Sequence, residues 1–223
     1  MIDSSLEQTL TRTGAPAASA AAGADVPTTP DAWLLVTEIE HRVTNEYAVA
    51  ISSISSAAVR TGSPEARATL DGVIERLRRY ADVHQALQAP LTRERRDLAD
   101  YLRTLCHARV RAGLAERGIE LTLLEQSVLL EADRCWRVGL IVSELITNAM
   151  RHAFSRKGGS IIVDLEVIGA ELQCRVHDDG CSTTGASPGG GSRIIDALAS
   201  DLGGSIERRF SSHGAMVVLT IPL

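Results

Sequence analysis

Aromatic residues make up only 3% of this 223-residue chain, and its formal net charge is −5. Nucleic acid is therefore a poor partner. Single strands are gripped by stacking bases on aromatic rings, and duplexes by neutralising phosphates with excess Lys and Arg. Cysteine is scarce too. Cys106, Cys135, Cys174 and Cys181 form no CxxC pair and have no His-rich spacing, so neither a zinc site nor a disulfide frame is indicated. They read as reduced thiols. No uncharged apolar run approaches the ~20 residues that span a bilayer. The first residues, with Asp3 and Glu7, lack the basic and apolar blocks of a secretion signal. A soluble cytoplasmic chain with no membrane partner is expected, long enough for one or two small domains with a real core.

Organisation follows from composition and period. Residues 1 to 30 are rich in Ala, Ser, Thr, Gly and Pro and cannot bury enough apolar area to offset ordering entropy, so they read as a flexible tail. That tail is too short for a sensory domain, which makes a separate sensor protein an expected partner. From Asp31, Leu35, Ile39 and Val43 recur every four residues, followed by Ala50, Ile54 and Ala58. TGSP (Thr61 to Pro64) is a turn by composition. A second helix spans Glu65 to about Gln88, with Leu70, Ile74, Leu77 and Ala81 as its stripe. A lone hairpin leaves such stripes half exposed, and pairing two hairpins in a four-helix bundle covers them, so a homodimer is expected.

Residues 31 to 90 thus form a helical dimerisation unit, with a polar junction over Pro90 to Asp97. Residues 91 to 223 read as a helix (Leu98 to Glu116), a short strand pair (Ile119 to Leu130) and a helix (Ala132 to Phe154). Two strands follow (Ser160 to Val167, Glu171 to Asp178), then a helix (Ser192 to Leu202) and two strands (Ser205 to Phe210, Ala215 to Ile221). Irregular alternation with neighbouring strands predicts an α+β layer sandwich and not a parallel doubly wound sheet.

Three segments of this second unit carry chemistry: ELITNAMRHAF (Glu144 to Phe154), VHDDG (Val176 to Gly180) and GGGSRIIDAL (Gly189 to Leu198). In the first, Glu144, Asn148 and His152 are spaced by four and make a polar row beside the buried face of Val138, Ile141, Val142, Leu145 and Ala149. Mg²⁺ takes oxygen ligands and keeps much of its water, so the amide oxygen of Asn148 plus nucleotide phosphates suffices as a site. Glu144 stands one turn away, placed to position a proton or a metal-bound water. In the second, Leu172, Cys174, Val176 and Asp178 share a face, so Asp178 ends a core strand with a carboxylate that needs a donor. The exocyclic amine of adenine is one, and Gly180 would let the base come close. In the third, glycines opening a helix free backbone N–H groups for phosphate, with Ile194, Ile195, Leu198 and Leu202 toward the core. Singly each segment is also compatible with an ordinary polar helix edge, a turn or a flexible loop.

In this order the three segments resemble the N, G1 and G2 boxes of the Bergerat-type ATP-binding domain shared by histidine kinases, gyrase-type ATPases and Hsp90. Upstream, EIEHRVTNE is similar to the acceptor box EIHHRVKNN of two-component histidine kinases of the HisKA_2/HWE group, and DVHQAL (Asp82 to Leu87) to the end of their second helix. The tryptophan-containing box that names the HWE subgroup is missing after Asp178, so the HisKA_2 type fits better. The resemblance implies His41 as phosphoacceptor, Asn148 as Mg²⁺ ligand and Asp178 as adenine reader. It also implies Arg151 and His152 as nucleotide contacts, Gly180, Gly189 and Gly191 as pocket and lid glycines, and Glu144 where gyrase-type enzymes keep a catalytic glutamate. It further implies ATP as phosphoryl donor and a response-regulator receiver domain as partner.

Helix geometry bears on His41 separately: it lies about 200° around from the apolar stripe, at ~100° per residue, so it should be exposed. Glu38 and Asn45 share its face. Glu38 is placed to orient the imidazole or take its proton, and Asn45 to position water for dephosphorylation. Glu40 and Thr44 replace the His and Lys usual in that box, and Ser182 replaces a second G1 glycine in a short lid (Cys181 to Pro188). Two alternatives stand beside the kinase: a dimeric histidine phosphotransferase that has lost ATP binding, and an ATP-binding regulator of the anti-sigma type.

Overall fold

The structure, a computed structural model, describes residues 30–90, 94–154, 158–181 and 190–223, the side chains of residues 30–37 and 190 excepted. The proposed tail up to residue 29, the lid stretch 182–188 and Gly189 lie outside these residues. Two helices come first, α1 (Pro30–Arg60) and α2 (Pro64–Ala86). Ser63 starts α2 by accepting a hydrogen bond from the Ala66 amide (3.3 Å). Pro64 follows in the first turn, where a missing N–H costs nothing. Inside the hairpin Ala58, Ile74 and Val83 are buried. Along the outside, Ile39, Val49 and Val59 are 59%, 65% and 72% exposed. His41 is exposed, as its helical position requires.

The junction does more than link. Arg95–Asp97 forms a short strand, β1, antiparallel to β3 (Leu129–Glu131). Asp97 caps α3 (Leu98–Arg109) by accepting from the Ala99 amide at 2.8 Å. A hydrogen bond from Ser127 is the main cause that holds its carboxyl below the usual carboxylate range. The expected helix to Glu116 changes character after α3. A π turn (Val110–Leu114) and a 3-10 turn (Ala115–Arg117) follow, because Gly113 adopts φ 151°. Strand β2 (Ile119–Leu124) does not pair with β3, contrary to the expected strand pair. It runs parallel to β4 (Gly159–Ile168) and so covers an edge of β4 that a local pair would leave open.

Helix α4 (Ala132–His152) precedes β4; β5 (Glu171–Asp178), α5 (Gly190–Asp201), β6 (Ser205–Ser211) and β7 (Gly214–Pro222) complete the fold. The five-stranded sheet has the order β2-β4-β5-β7-β6, with only β2 and β4 parallel. Its apolar face meets α3, α4 and α5 around Leu102, Val138, Ile141, Ile161, Leu172 and Ile195. Its other face is polar, where Arg175 on β5 pairs with Asp164 (2.8 Å) and Glu166 (2.7 Å) on β4. This is the alternation of a sheet covered on one side. One detail of α5 differs from expectation: Ile194 is 58% exposed, while Ile195, Ala199 and Leu202 are buried. Consecutive helical residues are ~100° apart, and on α5 the narrow buried stripe through Ile195, Ala199 and Leu202 leaves Ile194 at its outer side. Among the described residues no helix is long and apolar enough to cross a membrane.

Candidate functional site

The polar row of α4 ends beside the end of β5. Val138, Ile141, Val142, Leu145 and Ala149 bury the inner face of α4, leaving Asn148 half-buried at the border and His152 exposed beyond it. On β5, Leu172, Cys174, Val176 and Asp178 are all buried, as the period of two demands. Asp178 is therefore a carboxylate at 7% exposure. Its Oδ1 accepts from the amides of Gly180 (3.1 Å) and Ala215 (3.3 Å). Burial pushes the carboxyl pKa up, and these two donors pull the other way.

Two glycines make this corner possible. A side chain at Gly180 would overlap the Ala153 carbonyl at the end of α4, which already accepts from the Cys181 amide at 3.0 Å. The demand on Gly180 is thus packing of the β5 end against α4, a tighter reason than the approach of a base. Gly214, at φ 131°, leaves no room for a side chain against the Asp178 carbonyl and brings Ala215 N–H onto the carboxylate.

Between these elements lies a cavity of about 320 Å³ lined by Asn148, His152, Asp178 and Gly191, with Leu145, Ala149, Val176, Ile195 and Val217 as apolar walls. A mostly apolar hollow with few convergent polar groups suits a flat heterocycle read by one carboxylate. Glu144 is not in the lining. Its carboxylate packs against Gly191 at the start of α5, where the free amides of the helix favour negative charge. On the α3 side Arg109 donates to Ser143, the neighbour of Glu144. Burial lowers the Arg109 pKa, the Glu144 charge raises it, and the exposed Arg151 lowers it. Two guanidiniums therefore lie near the polar row.

Among the described residues no group of three or more His, Cys, Asp or Glu is arranged to hold a metal ion. A cation here would take few protein ligands, such as the Asn148 oxygen, and complete its shell from phosphate and water. That is the habit of Mg²⁺.

Three further candidates lie outside the cavity lining. His41, Glu38 and Asn45 are exposed on α1. Glu38 engages Arg42 at 3.3 Å, because the two are spaced i,i+4 with opposite charge, and this differs from the expected partnership with His41. Sequence reasoning missed four residues: Arg109, Gly214, Arg208 and Phe210. The last two line the cavity from β6, and Arg208 also pairs with Asp196 of α5 at 2.7 Å. Alternation with Ile206 was the available signal for both. Nothing in the local sequence marks Arg109 or Gly214.

Two family models match the chain: one described as histidine kinase over residues 38–112, the other as histidine kinase-like ATPase domain over residues 108–221. A sensor histidine kinase of Mycobacterium tuberculosis, PdtaS, is 28% identical over 197 residues, covering 84% of this chain and 39% of that protein. A blue-light-activated histidine kinase of Erythrobacter litoralis is 29% identical over 196 residues, 83% of this chain and 56% of its own. The chain thus spans less than two thirds of these curated relatives. Among solved structures, the histidine kinase domain of the Erythrobacter litoralis EL346 blue-light-activated histidine kinase superposes with a TM-score of 0.56 at 23% identity, covering 78% of this chain and 94% of that one. A bacterial phosphotransferase gives a TM-score of 0.59 at 15% identity, with 87% and 98% covered. These likenesses in structure concern the fold. With the hairpin matched by one model and the cavity-bearing half by the other, the chain belongs to the histidine kinases of the HisKA_2 type, with a histidine kinase-like ATPase domain.

Proposed function

We propose that the chain is a homodimeric protein histidine kinase that moves the γ-phosphoryl group of Mg·ATP to His41. An aspartate on a response-regulator receiver domain then takes the group from His41. The observation that carries this reading is the convergence of Asn148, His152, Asp178 and Gly191 on one apolar cavity, in a chain that also exposes His41 on α1. Asp178 accepts from the 6-amino group of adenine through the oxygen left free of its two backbone bonds, while the apolar walls hold the ring. Arg151, His152 and the amides at the start of α5, with Gly189 and Gly191, meet the phosphates. Mg²⁺, when bound through Asn148, neutralises phosphate charge. In the transfer, one imidazole nitrogen of His41 attacks the γ-phosphorus, the bond to the bridging oxygen breaks, and ADP leaves with that electron pair. The proton on the other ring nitrogen goes to solvent or to Glu38, whose Oε1 also meets Arg42. Asn45, one turn from His41, positions water for the reverse, dephosphorylating reaction. Domain limits of 31–90 and 91–223 and a cytoplasmic location belong to the same reading.

The second reading is a dimeric phosphotransferase without ATP chemistry, for which the likeness to a bacterial phosphotransferase speaks at the level of fold. One experiment separates them: incubation with γ-labelled ATP, wild type beside His41→Ala. The kinase reading expects acid-labile label on wild type only. Label that survives acid points to the anti-sigma type, and no label on a protein that binds no ATP points to the phosphotransferase.

A further inference from the structure

Glu40 and Thr44 depart from the acceptor box they sit in, and the cavity leaves them unused. They are spaced i,i+4 and so share a face of α1, while His41, ~100° further round, stays exposed. Both reach the same place. Glu40 Oε1 accepts from the backbone amide of Ala89 at 2.9 Å, and Thr44 Oγ1 accepts from Gln88 Nε2 at 3.1 Å. Thr44 donates in turn to the Glu40 carbonyl at 2.9 Å, which fixes its hydroxyl. Ala89 is buried, so its amide needs an acceptor, and a carboxylate is a strong one. The preceding residue is held from the other side: Trp136 of α4 donates its indole N–H to the Leu87 carbonyl at 2.8 Å. Three consecutive residues after α2 are thereby fixed, two by α1 beside His41 and one by the helix that carries Asn148.

We propose that Glu40 and Thr44 are positioning residues that clamp the Gln88–Ala89 junction to α1, so that the nucleotide-binding half is carried at a set place relative to the phosphoacceptor. The proposal rests on His41 being the phosphoacceptor. Its physical basis is effective concentration. A junction pinned next to the acceptor restricts the volume the ATP-bearing half explores, and a free one dilutes it. The acidic residue acts as a hydrogen-bond acceptor and not as an acid or base.

The test uses the full chain and four variants: Glu40→Ala, Glu40→Gln, Thr44→Val and Thr44→Ser. The clamp expects Glu40→Ala and Thr44→Val to slow labelling of His41 at saturating ATP by about tenfold, with KM for ATP unchanged. Glu40→Gln and Thr44→Ser, whose amide oxygen and hydroxyl still accept, should label at close to the wild-type rate. Amide hydrogen exchange at Ala89 should speed up in Glu40→Ala and not in Glu40→Gln. Three results overturn the clamp: a wild-type or faster rate in Glu40→Ala, a Glu40→Gln as slow as Glu40→Ala, or unchanged exchange at Ala89. An unlabelled wild type sinks the kinase reading instead, and the exchange measurement then still decides whether the clamp exists.

Discussion

Asp178 is under two opposed demands. As a buried carboxylate it is poorly placed for stability, since burial raises its pKa and two backbone amides pull the other way, and the proposed role is to read a nucleobase. An acid whose folded pKa is raised contributes stability below the ordinary carboxylate range and loses it as pH rises through the raised value. Asp178→Asn keeps an oxygen for the Gly180 and Ala215 amides but presents N–H groups toward the 6-amino group of adenine. The expected outcome is a free protein with an equal or higher thermal midpoint near neutral pH, no gain in acid, and no stabilisation by added ATP. Melting curves at both pH values, with and without nucleotide, check this, and ATP-dependent stabilisation of the variant would remove Asp178 from the site. Asn148 offers a simpler case. Asn148→Ala should leave circular dichroism unchanged and slow autophosphorylation by at least about 100-fold, because the Mg²⁺-bound phosphate loses its anchor. Near-normal labelling of the folded variant would sink that assignment.

At the scale of elements, the site exists because α4 and β5 end together. Gly180 lets them: its missing side chain admits the Ala153 carbonyl, and the Cys181 amide bonds to it. Gly180→Ala should destabilise the fold by about 1–3 kcal/mol, the usual cost of forcing extra atoms into a packed contact. Urea unfolding measures it, and a variant as stable as wild type would show that the corner can relax. Glu144 on α4 meets Gly191 at the start of α5, and β6 closes the cavity with Arg208 and Phe210. Five elements, α4, β5, α5, β6 and β7, thus supply a pocket that no single element contains.

For the whole molecule, the exposed apolar side chains of α1 matter most. Ile39, Val49 and Val59 remain 59%, 65% and 72% exposed in the single chain, although α1 is packed against α2. In the proposed homodimer a second hairpin covers Val49. Val49→Glu places a charge in that seam and is expected to yield a monomer that still binds ATP, since Val49 lies on α1 and lines none of the cavity. Light scattering at micromolar concentration decides: a variant that stays dimeric places the dimer contact elsewhere.

Local pattern was enough for most of the elements and for the way several candidate site residues face. The four-residue recurrence of α1, α2 and α4 and the parity of β5 are properties of neighbours along the chain. They put Asn148 on a helix border, Asp178 on an inward face and His41 on an outward one, and those residues are found there. The resemblance to the ATP boxes joined Asn148, His152, Asp178 and Gly191 into one pocket, and they line one cavity. What the pattern left open was every choice of partner. β2 joined β4 instead of β3, Ile194 yielded the core to Ile195, and Glu38 engaged Arg42. Arg208 and Phe210 entered the cavity from β6, and Glu40 and Thr44 bound the junction. Each of these is a competition between contacts of similar strength at different separations along the chain. A residue's own neighbours set which way it faces, but only the packed whole decides what it meets there.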